Sequence, residues 1–274
     1  MKGRARLGFG AGLALAAAAF LSPLLWLFSL SLKTGRAVYE FPPRFVPAEP
    51  TLANYAFVLA KTQVPYYLAN SAKVAALATL LTLALALPAA FVLSRERFPG
   101  RAGLTRGLVL VQLVSPLVLL VPIYGIVASL RLLDTHAGLI LVYASVQLPL
   151  TVSILRTFCD GLPRELFEAA LLDGASRFTT LRKVALPLLG PGLGAATIFN
   201  LAAYWAEFSL SLVLLDSQSR FTVPVGLFNL QSGYETEWQI VAAAALLALV
   251  PVLAAFVLLQ RYFVAGLTAG AVKG

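Results

Sequence analysis

The chain has 274 residues, of which 59% are hydrophobic and 12% charged, and its mean hydropathy is +0.86. Soluble domains carry about 25% charged residues, so this composition excludes an ordinary soluble domain and predicts an all-helical membrane protein. The net charge of +9 is spread over short loops without a nucleic-acid-binding motif, which argues against a nucleic-acid partner. One cysteine, Cys159, excludes an intrachain disulfide, and one histidine, His136, has no second ligand beside it for a metal.

Six apolar runs reach the roughly 20 residues that a membrane-spanning helix requires. They cover about Leu7–Leu32, Tyr67–Leu93, Leu104–Leu130, Ala137–Phe158, Leu188–Leu215 and Trp238–Tyr262. The first run is too long for the apolar part of a cleaved signal peptide, so we expect an uncleaved anchor. Prolines inside the third, fourth and sixth runs favour bent, bundled helices, since neighbouring helices can satisfy the freed carbonyls.

The basic residues predict the orientation of these spans. If the N-terminus is cytoplasmic, fourteen of the 21 Lys and Arg residues lie on the inner side. By the positive-inside rule, both termini and the loop between the fourth and fifth spans are then cytoplasmic. We expect an N-terminal anchor with an outer, proline-rich strap (1–66), a five-helix core (67–262) and a cytoplasmic tail (263–274), all in one domain.

One polar stretch stands out between the fourth and fifth runs. Gly161–Pro191 reads GLPRELFEAALLDGASRFTTLRKVALPLLGP. Pro163 suits the first turn of a helix, in which Leu166 opens an apolar pattern at helical spacing. Gly174 predicts a left-handed helix cap, and Ser176 predicts the N-cap of a second short helix. A helix, a glycine corner and a second helix, held on the inner side, form a shape suited to dock into a partner.

Polar side chains within the fourth and fifth runs allow two interpretations. They line a path for solute hydroxyls, or they form hydrogen bonds between helices, which is common in membrane bundles. Glu207 is an acidic residue within a spanning run and is a functional-site hypothesis, with a wet or paired position near the outer surface as the alternative. The candidate path-lining residues are Tyr143, Gln147, Asn200, Tyr204 and Glu207.

These sequences carry a family resemblance. Glu168-Ala169-Ala170, Asp173-Gly174-Ala175, Leu186-Pro187 and Pro191 resemble the EAA loop of permease subunits of ATP-binding-cassette importers. Thr222–Leu227 and Gln260–Gly274 are similar to the carbohydrate branch, and specifically to the smaller of the two maltose-type permeases. The resemblance covers most of the chain and implies a binding-protein-dependent sugar (oligosaccharide) importer in the cell membrane. Gly161–Pro191 is hereafter called the EAA segment.

The resemblance also implies partners. These are a second, homologous permease that completes the translocation path, a dimer of cytoplasmic ATPases and an extracytoplasmic sugar-binding protein. The chain lacks a phosphate-binding Gly-rich loop ending in Lys-Ser or Lys-Thr, so we expect a non-catalytic transport subunit without a cofactor of its own. ATP and magnesium would bind to the partner ATPase, and the helices would alternate between inward and outward access.

The resemblance assigns roles to three sets of residues. ATPase docking falls on Leu166, Glu168, Ala169, Ala170, Asp173, Gly174, Ala175, Phe178 and Leu181. A tail that reaches between the ATPases contains Gly266, Leu267, Thr268, Gly270 and Lys273. A loop that contacts the binding protein, or serves as an ordinary connector, contains Gln231, Ser232, Gly233, Tyr234 and Glu235. The chain has Ala206 where the family usually has Asn in Trp-Asn-Glu-Phe, so no role is carried over there.

Alternatives from other classes make distinguishable predictions. An ion-coupled secondary carrier or channel predicts several buried ionisable residues and often internal inverted repeats. A membrane enzyme predicts clustered catalytic groups. An importer of another solute, such as a glycerol phosphate ester, predicts basic side chains along the path.

Overall fold

The structure, a computed structural model, describes residues 2–231 and 237–271, with side chains for residues 12, 13, 15–231 and 237–258. Within these ranges the chain is helical and forms no β-strand, which confirms the all-helical prediction. The helices are α1 (Lys2–Ser31), α2 (Gly35–Val38), α3 (Ala53–Lys61), α4 (Val64–Arg95), α5 (Arg101–Gln112), α6 (Leu120–Ser129), α7 (His136–Asp160), α8 (Glu165–Leu172), α9 (Arg177–Thr180), α10 (Leu186–Leu188), α11 (Gly190–Ala206), α12 (Ser209–Leu214), α13 (Val223–Leu230) and α14 (Trp238–Ala271).

Among the described residues, three helices are long and apolar enough to cross a membrane. They are α4, α7 and the Trp238–Leu258 part of α14. The pair Arg177–Leu188 and Gly190–Ala206 bends by 79° and counts as a fourth span if it is taken as one. Shorter apolar helices cover Leu15–Ser31 and Leu120–Ser129. The six-span arrangement therefore stays a prediction.

The third predicted span, Leu104–Leu130, is not one helix, so that prediction is wrong as a continuous element. Helix α5 ends at Gln112 and α6 begins at Leu120. Pro116 has no N–H, and it disfavours helical backbone at the residue before it, Ser115. Backbone groups at the break pair locally instead, because Val118 N donates to Ser115 O at 3.0 Å and Leu119 N to Pro116 O at 3.1 Å.

The fifth predicted span, Leu188–Leu215, is also interrupted. Helix α11 ends at Ala206, and Glu207 takes an extended backbone conformation before α12. The Glu207 carboxylate accepts hydrogen bonds from Leu210 N at 2.7 Å and from Ser211 N at 3.1 Å. These are free donors at the start of α12, so the side chain stabilises a break that apolar periodicity does not show.

The separate cytoplasmic tail stays a prediction. Helix α14 continues to Ala271, through most of the range 263–274 that the sequence places after the sixth run.

Two compact units divide the chain. One consists of Met1–Pro65 with Gly226–Val250, and the other of Tyr66–Val225 with Pro251–Gly274. In the first unit, Asn54 Nδ2 on α3 donates to Ser31 O at 2.7 Å and to Lys33 O at 2.8 Å. Asn54 thereby satisfies carbonyls at the C-terminal end of α1, which have no partner within their own helix.

The core of the second unit lies between α4, α7 and α11. Close contacts there are made by small residues, because Ala78, Ala86, Ala90 and Ala196 are completely buried. Small side chains let helix backbones approach, which is how helices pack where the surroundings are apolar. A third cluster, formed by Phe91, Cys159, Phe167, Ala185 and Leu189, lies near the end of α4 and holds the EAA segment.

The approach of α11 to α7 gives a stability prediction. A Cβ added at Gly192 would lie 2.6 Å from Cγ of Phe158, whereas one added at Gly190 would meet nothing within 4 Å. We expect Gly192→Ala to cost about 1–3 kcal/mol through overpacking. It should lower the Tm of the purified chain in detergent, whereas Gly190→Ala should leave Tm unchanged or slightly higher. Equal Tm values for the two variants would contradict this packing.

Hydrogen bonds and an ion pair connect the loop before α7 to the loop after α12. The Asp134 carboxylate accepts hydrogen bonds from the backbone N–H groups of Asp216 and Ser217, both at 3.0 Å, and pairs with Arg220 at 3.0 Å. Burial acts to raise the pKa of Asp134, but the hydrogen bonds from Ser217 and Asp216 and the Arg220 charge outweigh it and hold the pKa below its ordinary value.

The lowered pKa predicts a pH dependence of stability. A carboxyl whose pKa is lower in the folded than in the unfolded protein stabilises the folded state at any pH above its unfolded pKa, which is near 3.9 for Asp. This contribution to the free energy of unfolding is lost as the pH falls through the folded-state pKa. Asp134→Asn should therefore cost about 1–3 kcal/mol at neutral pH, and its Tm difference from wild type should shrink at acid pH. The control is Asp216→Asn, an exposed neighbour. A Tm difference for Asp134→Asn that does not depend on pH would contradict this.

Candidate functional site

The EAA segment forms the predicted helix, corner and second helix. Helix α8 begins at Glu165 rather than at Pro163, with Arg164 as its N-cap. Gly174 has the left-handed φ of +80°. Its N–H donates to Leu171 O at 3.0 Å, and Ala175 N donates to Ala170 O at 2.9 Å. This pair of bonds is the Schellman motif, which satisfies the last carbonyls of α8 and turns the chain.

The second helix is capped as the sequence predicts, but its apolar side is not continuous. Ser176 Oγ accepts a hydrogen bond from Thr179 N at 3.2 Å. A π-helical turn over Leu181–Ala185 then joins α9 to α10. Phe178 is 70% exposed, whereas Ala185 is completely buried. Helical spacing in the sequence predicts that Phe178, Leu181 and Ala185 share one side of this helix. The wider π-helical turn shifts the register, so Phe178 and Ala185 do not share one side.

One residue that the sequence analysis missed, Phe167, fastens α8 to the core. Its side chain is 6% exposed, and its ring centroid lies 5.8 Å from that of Phe91 on α4. Cys159, Ala185 and Leu189 complete the cluster. Burying a phenylalanine in this way contributes about 1.5–3 kcal/mol. Apart from Glu165 and Glu168, every residue of α8 is apolar, so helical spacing alone does not show which of them faces the core.

The end of α4 holds the same segment through three consecutive residues. Arg95 Nη2 donates to the backbone carbonyls of Cys159 and Leu162, the latter at 2.8 Å, and its guanidinium carbon lies 4.2 Å from the centroid of the Phe167 ring. Ser94 Oγ donates to Asp160 Oδ1 at 2.5 Å. Glu96 pairs with Arg177 Nε at 3.0 Å. In the sequence, Ser94–Arg101 reads as a tight basic turn, which predicts anchoring to anionic membrane lipid and does not reveal these contacts.

The opposite side of the EAA segment is exposed and partly apolar. Leu166 is 43%, Leu172 89% and Phe178 70% exposed. Most of the predicted docking residues lie at this surface, namely Leu166, Glu168, Ala169, Asp173, Gly174 and Phe178, whereas Ala170, Ala175 and Leu181 are half-buried. A groove of about 520 Å³ lies beside it between the end of α4 and α8, with Arg97, Arg164 and Glu168 in its lining.

The candidate path-lining residues lie mostly inside the bundle of this chain. Tyr143 and Tyr204 are 1% and 6% exposed, and their rings stack at 5.2 Å. Tyr143 OH donates to Glu207 Oε2 at 2.7 Å. Asn200 is completely buried and its Oδ1 accepts from Thr151 at 3.0 Å.

These contacts are hydrogen bonds between helices, which was one of the two sequence interpretations. Glu207 is paired and half-buried, and Gln147 is half-buried. A path role for these residues stays a prediction.

The two remaining predicted sets are only partly within the described residues. Gln231 follows α13, and its backbone N donates to Phe228 O at 3.1 Å. Ser232, Gly233, Tyr234 and Glu235 lie outside the described residues, as does Lys273. Gly266, Leu267, Thr268 and Gly270 belong to the helical backbone of α14.

Comparison with known proteins agrees with this architecture. One solved structure, the crystal structure of a bacterial ABC transporter involved in the import of the acidic polysaccharide alginate, is similar with a TM-score of 0.81. The match covers 96% of this chain and 98% of that chain at 22% identity, which shows a shared fold.

Two curated relatives are 37% identical in sequence. One is the diacetylchitobiose uptake system permease protein DasC of Streptomyces coelicolor, matched over 92% of this chain and 91% of the relative. The other is the sulfoquinovosyl glycerol transport system permease protein SmoH of Agrobacterium fabrum, matched over 93% and 89%.

Residues 82–269 match the family described as binding-protein-dependent transport system inner membrane component. This match includes α7, the whole EAA segment and α11, the elements that build the candidate site. The chain therefore belongs to the family of binding-protein-dependent transport system inner membrane components.

Proposed function

We propose that this chain is the permease subunit of an ATP-driven sugar importer, in which the EAA segment docks into a cytoplasmic ATPase dimer. The observation that carries the proposal is the two-sided construction of α8. Phe167 fastens one side to the core, while Leu166 and Leu172 are exposed on the helix and Phe178 is exposed beyond the glycine corner. A short helix that packs on the core through one side and exposes apolar side chains on the other is suited to bind a protein partner.

The exposed surface can supply the docking affinity. Burying a large apolar side chain such as Leu172 or Phe178 contributes about 1.5–3 kcal/mol each. An exposed ion pair contributes only about 0–1 kcal/mol, so a partner for Glu168 adds specificity more than affinity. Ala169 is small and exposed, which allows a helix to enter a groove closely.

The relatives support a carbohydrate as the solute. Both are named for transport of glycosides, one for diacetylchitobiose and one for sulfoquinovosyl glycerol. We therefore propose a sugar, and an oligosaccharide rather than a phosphate ester. In this arrangement Tyr143, Asn200 and Tyr204 are buried, so a path that uses them requires the helices to part during transport.

The remaining partners and the topology complete the proposal. A second permease forms the other half of the path, and a sugar-binding protein delivers solute to the outer side, as the family description implies. The chain crosses the membrane six times with both termini inside. ATP and magnesium bind to the ATPase, and closure of its dimer moves the docked EAA segment, so that the coupling passes through a bistable interface.

The family match removes the support for the other classes. Members belong to binding-protein-dependent transport systems, which neither the carrier or channel interpretation nor the enzyme interpretation predicts. The acidic residue that motivated the carrier interpretation, Glu207, caps α12 and pairs with Tyr143.

The docking proposal is tested by tagging this chain and purifying it from detergent-solubilised membranes. Gly174→Asp should keep the second permease and lose the ATPase, because it places a charged side chain at the corner of the docking surface. Gly100→Asp is the matched control. Gly100 has a similar left-handed φ of +88°, and neither glycine has an atom within 4 Å of an added Cβ, so both variants carry a similar backbone cost of roughly 1–2 kcal/mol. Equal retention of the ATPase by both variants would refute docking at this corner.

The proposed topology is tested by cysteine labelling. The native Cys159 is 1% exposed and should not react. Glu165→Cys, on the EAA segment and not one of the docking residues, should react with a membrane-impermeant maleimide only in inside-out vesicles. Leu52→Cys, on the strap, should react only in right-side-out vesicles. Labelling of both sites from the same side would contradict the arrangement.

A further inference from the structure

Three consecutive residues at the C-terminal end of α4 contact the end of α7 and the EAA segment that follows it. Ser94 bonds to Asp160, Arg95 to the linker and α8, and Glu96 to Arg177. We propose that Arg95 is a positioning residue that makes the inner end of α4 and the EAA segment move as one body. This inference rests on the proposed docking of that segment to an ATPase. Arg95 then passes the movement of the docked segment directly to a spanning helix.

The geometry of Arg95 fits this role. Cys159 and Leu162, whose carbonyls it binds, lie 64 and 67 residues away in the sequence and on either side of the end of α7. Its guanidinium stacks on Phe167 of α8 at 4.2 Å. The rigid, planar guanidinium of Arg95 therefore contacts α7, the linker and α8 at once, and Arg95 itself belongs to α4.

The two neighbouring contacts are weaker or more exposed. Arg177 is 76% exposed in its side chain, so its pair with Glu96 contributes little. Asp160, the partner of Ser94, is 48% exposed in its side chain and is shared with Arg156 at 3.5 Å. Arg95 is the contact of this group that also reaches α8, and its removal should uncouple α4 from the segment most strongly.

Lipid anchoring does not account for Arg95. An arginine that binds lipid headgroups keeps its donors exposed, as the side chain of Arg97 is. Arg95 Nη2 is engaged by two carbonyls, and its Nε is buried without a hydrogen-bond partner. A buried Nε fits a guanidinium held flat between a helix end and an aromatic ring.

Lysine separates the proposed role from charge alone. Arg95→Lys keeps the positive charge, and with it the topology signal, but a lysine ammonium has no planar fork to hold two carbonyls while it stacks on Phe167. Arg97→Lys is the matched control two residues away. Phe167→Leu is a second variant, which removes the ring from the other side of the same contact.

The experiment measures whether α4 and α8 move together. Spin labels are placed at Leu80→Cys on α4, which is 63% exposed, and at Glu165→Cys in the first turn of α8, which is exposed and is not one of the docking residues. The complete complex is reconstituted in nanodiscs, and the distance between the labels is measured by double electron–electron resonance before and after trapping with Mg-ATP and vanadate. ATPase that copurifies with each variant is quantified in parallel.

In the labelled chain that keeps Arg95, and in its Arg97→Lys variant, we expect one narrow distribution of distances between the labels, which does not change on trapping. In Arg95→Lys and Phe167→Leu, we expect ATPase to be retained and the distance to broaden or shift on trapping. The proposal is overturned if both variants keep the unchanged narrow distance. It is also overturned if Arg95→Lys loses the ATPase while Arg97→Lys keeps it, since Arg95 would then support docking itself.

A failure of the proposed function gives a different result. In that case the unsubstituted chain copurifies with no ATPase, and the inference falls with it. If Arg95→Lys does not fold, Phe167→Leu decides the matter by the same distance measurement.

Discussion

The last carbonyl groups of α7 must be satisfied where that helix leaves the bundle, and this requirement organises the inner face. A helix end leaves four carbonyls without donors of its own, and a buried carbonyl without a partner is costly. Backbone N–H groups of Gly161 and Leu162 donate to carbonyls in the last turn of α7. Arg95 adds a donor from the neighbouring helix α4 to Cys159 O and to Leu162 O in the linker that follows α7. Because Phe167 packs on the same guanidinium, the position of α8 depends on α4 as well as on the connecting loop. Its exposed surface is thereby held at a defined place.

The same physical need explains other polar residues in this apolar chain. Asn54 satisfies carbonyls at the end of α1, and Glu207 satisfies donors at the start of α12. Asp134 does so for the backbone that follows α12. Each of these polar side chains lies where a helix ends or begins, and each forms hydrogen bonds with backbone groups. A charged residue in a hydrophobic run is therefore not by itself a transport site, which is why Glu207 belongs first to the architecture.

Buried polar residues also hold α4, α7 and α11 together. Thr82 and Tyr204 share a hydrogen bond of 2.7 Å between α4 and α11, and Tyr204 stacks on Tyr143 of α7. These contacts tie three helices together across the middle of the second unit. Helices that move apart to admit a sugar would have to exchange these hydrogen bonds for others. A polar group with alternative partners makes such an exchange less costly than the exposure of apolar surface alone.

The sequence alone determined the features that depend on local chemistry. Hydropathy predicted a helical membrane protein, the left-handed requirement at Gly174 predicted the corner, and Ser176 predicted the cap of α9. The EAA pattern predicted the family, because several short motifs at a fixed spacing are unlikely to occur together by chance. Breaks in the apolar runs were harder to predict from the sequence. Proline is tolerated inside many membrane helices, so Pro116 alone does not indicate a break, and Glu207 interrupts the run only because its carboxylate reaches the backbone of the next helix.

Only the tertiary structure decided which residues hold the EAA segment. Apart from Glu165 and Glu168, every residue of α8 is apolar, so its spacing does not distinguish buried Phe167 from exposed Leu166. Arg95 lies in a basic turn that matches the charge pattern of a membrane surface equally well. Its function depends on carbonyl groups more than 60 residues away in the sequence. Local pattern reports the conformation of a short stretch, whereas the choice between core, docking surface and lipid requires the neighbours that folding brings together.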